Sequence, residues 1–124
     1  MKLAIPVKMN TENPAIAPLF GKAKWFALIE NGEVTIIPNQ QSGGQAVIEL
    51  FHEMNIDALL IQEMGRSPYA KVKEYGTMAL YHTGFKRILL KDVLSKFENN
   101  NLELLDDTNI DKIITHHEKR HPAH

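Results

Sequence analysis

The spacing of apolar residues divides the chain into a β-rich opening and a middle in which strand and helix periods alternate. KLAIPVK (2–8) is a short apolar run ending in polar residues and reads as a buried first strand. Pro6 within it has no N–H to give, which points to an edge position or a missing ladder bond. MNTENPAIAPLFG (9–21) holds Asn10, Asn13, Pro14, Pro18 and Gly21 and reads as a loop, a long one for a small domain. Long ordered loops are more often functional than idle. AKWFALIE (23–30) and EVTIIPN (33–39) flank Asn31-Gly32, and Asn-Gly between such runs is the strongest short hairpin signal, because both turn positions need positive φ.

The period then lengthens. In SGGQAVIELFHEMN (42–55), Ala46, Val47, Leu50, Phe51 and Met54 recur at helical spacing, with Ser42 as cap and Asn55 as stop. IDALLIQ (56–62) has the length of a buried strand. MGRSPYAKVKEYG (64–76) restarts a helix, with Ser67 as cap, Pro68 in the first helical position and Gly76 as terminator. TMALYH (77–82) is a further strand, KDVLSKFENN (91–100) an amphipathic helix, and TNIDKIITHHEKR (108–120) a short terminal helix. Strand–helix–strand–helix–strand requires parallel strands joined by helical crossovers. The sum is an α/β domain of three layers, α/β/α, whose mixed sheet of about five strands carries an antiparallel hairpin. It occupies residues 1–102, and 103–124 form an extension with a histidine-rich tail.

Composition narrows the function. A length of 124 residues fits one domain, and a chain of this size buries roughly two-thirds of its unfolded surface. The formal net charge is -1, from 14 basic and 15 acidic residues, which gives no footprint for nucleic acid. No apolar run reaches the roughly 18 residues of a membrane span, and no leader pattern opens the chain, so the expectation is a cytoplasmic protein away from the membrane. The absence of cysteine excludes disulfides, thiolate metal sites, protein-ligated iron–sulfur clusters and cysteine nucleophiles.

Ligands of open α/β sheets bind beyond the carboxyl ends of the parallel strands. Three segments reach that end: loop 9–21, NQQSGGQ (39–45) and EMGRS (63–67). Gly43-Gly44 and Gly65 each precede a helix whose free N–H groups and dipole favour an anion, and glycine lets the backbone approach a ligand closely. Tight βα turns explain the same glycines. Arg66 and Lys22 add cationic charge if they face the same space, and are otherwise solvated surface charge. No Walker A loop, GxGxxG or GxSxG pattern is present. Most carboxylates (Glu49, Glu53, Glu74, Glu98, Asp106, Asp107, Asp111) fall on polar helix faces or in the tail, and Asp57 stands at a strand start, so no strand carboxylates pair over a metal. The expectation is a protein that is not an enzyme. His82 ends a strand at the site face, whereas His52 lies in a helix. His117 and His121 are four apart, and on one helix face could hold Zn, Ni or Cu; the plainer reading is a polar tail.

MKLAIPV at the start, FGKAKWFALIE about twenty residues on, GG before the first helix and IDALLIQEMG before the second resemble, in that order, the dinitrogenase iron–molybdenum cofactor biosynthesis family of NifX/NafY-type accessory domains and their small stand-alone members. The resemblance covers roughly residues 1–100. It implies a ribonuclease-H-like fold without that fold's catalytic carboxylates. It also implies a carrier that holds an iron–molybdenum or molybdenum–copper–sulfur cluster non-covalently, with a cofactor-biosynthesis protein as partner. On it, the cradle would comprise Asn10, Phe20, Gly21, Lys22, Ser42, Gly43, Gly44, Gly65, Arg66, Ser67 and His82. The family often reads His-Phe-Gly where this chain reads Leu19-Phe20-Gly21, and leucine cannot ligate a metal. The alternative is a metal-responsive regulatory or interaction module, monomer or homodimer, that binds Zn, Ni or Cu through the tail.

Overall fold

The structure, a computed structural model, describes residues 1–120. Six strands form one mixed sheet: β1 (Lys2–Val7), β2 (Trp25–Glu30), β3 (Glu33–Pro38), β4 (Ala58–Ile61), β5 (Ala79–His82) and β6 (Glu103–Leu105), in the order β3-β2-β1-β4-β5-β6. β1 pairs with β4, and β4 with β5, in parallel, and the pairs β1–β2, β2–β3 and β5–β6 are antiparallel. The helices are α1 (Gly44–Glu53), α2 (Arg66–Tyr75), α3 (Leu90–Glu98) and α4 (Ile110–Arg120).

The alternating strand pattern gives two cores. Phe26 of β2, Ala4 of β1 and Leu59 and Ile61 of β4 face α1, α2 and α4, where they meet Ile48, Phe51, Val72, Ile110, Ile113 and Ile114. Leu3, Ile5 and Val7, with Ala27, Ile29, Ala58 and Leu60, face the other way, onto Leu90 and Val93 of α3. The sheet is thus covered on both faces, which is why β4 reads as an unbroken apolar run. Phe20, Phe26 and Phe51 form a packed triad with ring centroids 5.0–6.3 Å apart.

The hairpin turn is as the dipeptide predicts: Asn31 and Gly32 both have positive φ, 53° and 80°. Gly76 ends α2 in the left-handed conformation, φ 68°. Four expectations are corrected. β1 is a central strand, so the edge reading of Pro6 fails, while the other reading, a missing ladder bond, stands. Its register with β4 covers Leu3 and Ala4, and past that point chain 15–17 takes over, with Ala17 N–H donating to the Pro6 carbonyl at 2.8 Å and Lys8 N–H to Ala15 at 2.9 Å. A missing N–H is harmless where the neighbour pairs through the carbonyl. Ser42 makes no cap bond; Gly43 occupies the cap position of α1 with φ 91°. The cap of α2 is Gly65, so Ser67 lies inside the helix and Pro68 in its third position rather than its first. Sheet size differs too, because ELL (103–105) pairs with β5 through Leu80–Leu105, Tyr81–Leu104 and His82–Glu103. Its apolar content is too short to show a period, and only the β5 edge makes it a strand.

Candidate functional site

The carboxyl ends of β1 and β4 and the starts of α1 and α2 meet at one place, and glycine is what allows them to. A Cβ on Gly21 would stand 2.8 Å from the Gly44 nitrogen, and one on Gly44 would stand 2.4 Å from Cγ of Pro68. Gly43 and Gly65 are less confined: a Cβ on Gly43 would meet nothing within 4 Å, and one on Gly65 would be 3.5 Å from Nε2 of His117. These segments enclose a cavity of about 310 Å³ lined by Leu19, Gly21, Lys22, Gly43, Gly44, Gly65, Pro68 and His117. That volume is at the small end of the range for ligand pockets, roughly 300–1,000 Å³. A second hollow of about 460 Å³ shares Leu19 and Lys22 with it and adds Lys8 and Lys24.

The helix N-termini and the lysines favour an anion, and the buried Glu63 carboxylate behind His117 opposes it. Neither α1 nor α2 carries an acidic residue in its first turn, so nothing in the helices themselves offsets the N-terminal dipoles. First-turn N–H groups have no intrahelical acceptor, and the first bond back in α1 is Val47 N–H to the Gly43 carbonyl. Lys8, Lys22 and Lys24 are exposed and none makes an ion pair among the described residues.

Of the expected cradle residues, Gly21, Lys22, Gly43, Gly44 and Gly65 come together around the cavity. The others are placed differently. Phe20 is 1% exposed and belongs to the aromatic core triad. Asn10, Ser42 and Ser67 are exposed and outside the lining. Arg66 turns to α4, with Nε and Nη2 donating to the Glu118 carboxylate at 3.1 and 3.2 Å. His82 is buried beside Phe85, which stacks on His116 at 4.1 Å between ring centroids. Burial, then the charge of Lys112, pushes the His82 imidazole below its usual pKa. His121, half of the expected metal pair, lies outside the described residues, and among those described no group of three His, Cys, Asp or Glu is placed to hold a metal ion.

Glu63 is a carboxylate at the site end of a strand that the residue-by-residue reading did not single out. It follows β4 by two residues and is 1% exposed. Its backbone pairs with the incoming loop, through the Leu19–Glu63 bridge and a 3.2 Å bond from Glu63 N–H to the Pro18 carbonyl. Its carboxylate faces two imidazoles of α4, with Oε2 3.4 Å from His116 Nδ1 and Oε1 3.8 Å from His117 Nδ1. The sequence signal was a single acidic residue just after the apolar run 56–62.

Fold and site define a three-layer α/β domain with a glycine-walled, cation-flanked cavity at the carboxyl ends of its parallel strands. The chain belongs to the dinitrogenase iron–molybdenum cofactor family, which it matches over residues 1–100. It is 30% identical over 86 residues to an uncharacterized protein of Methanocaldococcus jannaschii, an alignment covering 61% of this chain and 70% of that one. Among solved structures it is similar to a Thermotoga protein of the DUF35 family (TM-score 0.70, 20% identity, 84% of this chain and 92% of that one). It is also similar to the apo form of the orange protein of Desulfovibrio gigas (TM-score 0.73, 11% identity, 84% and 92%). At these identities the structural likenesses speak to the fold. No helix among the described residues is long and apolar enough to cross a membrane.

Proposed function

We propose that this protein is a non-enzymatic carrier for an iron–molybdenum or other metal–sulfur cluster, or a related anion, working with a cofactor-biosynthesis protein. The observation that carries this reading is the cavity walled by Gly21, Gly43, Gly44 and Gly65, with Lys22 in its lining and Lys8 and Lys24 in the adjoining hollow. Metal–sulfur clusters of this kind are anionic and bulky. A wall of glycine backbone presents N–H donors without side chains in the way, and two helix N-termini add partial positive charge. At Gly21 and Gly44 a Cβ would collide with backbone or ring atoms, so the wall is built at the closest approach the chain allows. Family membership supports the same cargo class.

The test is anaerobic titration with tetrathiomolybdate, followed through backbone amide resonances. The signals of Gly21, Gly43, Gly44 and Gly65 shift together and saturate. Still glycine amides, with changes confined to the C-terminal residues, would reject the cradle.

A further inference from the structure

Among the described residues, α4 contributes one side chain to the cavity lining, His117, and its two ring nitrogens face different chemistry. Nε2 lies by the cavity wall, 3.5 Å from where a Cβ on Gly65 would sit. Nδ1 lies 3.8 Å from the buried Glu63 carboxylate. We infer that His117 ligates a metal atom of the cargo through Nε2 and that Glu63 is its positioning residue; this rests on the carrier reading above and names the ligand at that same site.

Three observations carry it. The first is donor chemistry. Among the described residues, the side chains lining the cavity apart from His117 are those of Leu19, Lys22 and Pro68, and the remaining lining residues are glycines. Leucine and proline side chains have no donor atom, and a lysine ammonium has no lone pair at neutral pH. His117 is thus the lining side chain that can give a lone pair to a metal, and imidazole suits iron and copper.

The second is orientation. A ligating histidine typically directs its other ring N–H at a carboxylate, which fixes the tautomer and raises the basicity of the ligating nitrogen. Glu63 lies on that side of the ring, with Oε1 3.8 Å from His117 Nδ1 and Oε2 3.4 Å from His116 Nδ1, and its backbone is fixed by Pro18 and Leu19.

The third is rigidity. Ile110, Ile113 and Ile114 anchor α4 in the core, and the paired Arg66–Glu118 bonds hold its end beside the start of α2. A single imidazole binds a bare divalent ion weakly, and among the described residues no three-ligand group is available. The site therefore selects a preassembled anionic cluster, held by backbone and lysine, with one coordination position open to nitrogen.

The experiment uses the full chain labelled with nitrogen-15 histidine, titrated anaerobically with copper(I)–tetrathiomolybdate. The His117 ring nitrogens are followed by long-range proton–nitrogen correlation, alongside the glycine amides. The Nε2 resonance moves with Gly43, Gly44 and Gly65, and His117→Ala weakens binding about tenfold or more while its glycine amides still respond to tetrathiomolybdate alone. Glu63→Gln weakens the copper-containing cluster by about ten- to a hundredfold, the usual cost of losing a carboxylate behind a ligand. Should that variant not fold, the ring resonances of the unaltered chain decide. Glycine amides that respond while the His117 ring stays still would overturn the ligand and leave the carrier standing; silence in both would overturn both.

Discussion

Gly21 and Gly44 touch backbone to backbone, and a methyl group on Gly21 would come to 2.8 Å from the Gly44 nitrogen. No side-chain rotation relieves such a contact, so Gly21→Ala forces the two segments apart and costs about 1–3 kcal/mol, as overpacking usually does. Gly65→Ala is the contrasting variant. Its φ of −78° suits any residue, and the new Cβ meets His117 at an ordinary 3.5 Å. Its stability cost stays at about 1 kcal/mol or less, the scale of a helix-cap change, but its methyl group narrows the cavity. Denaturant midpoints and tetrathiomolybdate titrations separate the pair: Gly21→Ala loses stability, and Gly65→Ala chiefly loses binding.

Lys8, Lys22 and Lys24 flank the cavity without ion pairs among the described residues, so their charge is available to an incoming anion. Replacing all three with glutamine leaves stability within about 0.5 kcal/mol for each exposed position. It weakens anion binding and flattens its salt dependence, because exposed charges act over a screening length of about 8 Å at physiological ionic strength. Titrations at two salt concentrations check this. A variant whose affinity and salt slope match the parent would assign the binding to the backbone alone.

His82 makes stability pH-dependent in a defined direction. Burial, with help from Lys112, lowers its folded pKa below the ordinary 6.5. A depressed folded pKa means the unfolded chain binds the proton more readily in the window between the two values. The contribution is therefore fully present above pH 6.5 and is lost as the pH falls through the lowered folded value. His82→Gln removes it, so the stability advantage of the parent over the variant shrinks between pH 7.5 and 5. Urea unfolding across that range measures the difference; an advantage that grows in acid contradicts the assignment.

Much of the fold was legible because its signals are local. The Asn31-Gly32 turn, the stop at Gly76 and the helical recurrence of Val47, Leu50 and Phe51 depend on residues close in sequence. Glycines 43, 44 and 65 were legible as candidate lining for the same reason, since they stand at helix starts. Phe20 was not legible as core, because its partners Phe26 and Phe51 lie on other elements. Arg66 looked like a free cation until α4 brought Glu118 to it.

The sequence by itself determined the layer type, the hairpin, the helical crossovers and the family, all of which rest on short-range pattern and motif order. Tertiary structure decided which residues share a cavity. It placed Pro6 in a central strand by turning loop 15–17 back along it, and made 103–105 a sheet edge by offering β5 as partner. It also laid His116 and His117 over Glu63, more than fifty residues away in the chain. Such juxtapositions depend on distance in space, and burial and charge acquire their chemical meaning once the chain has closed around them.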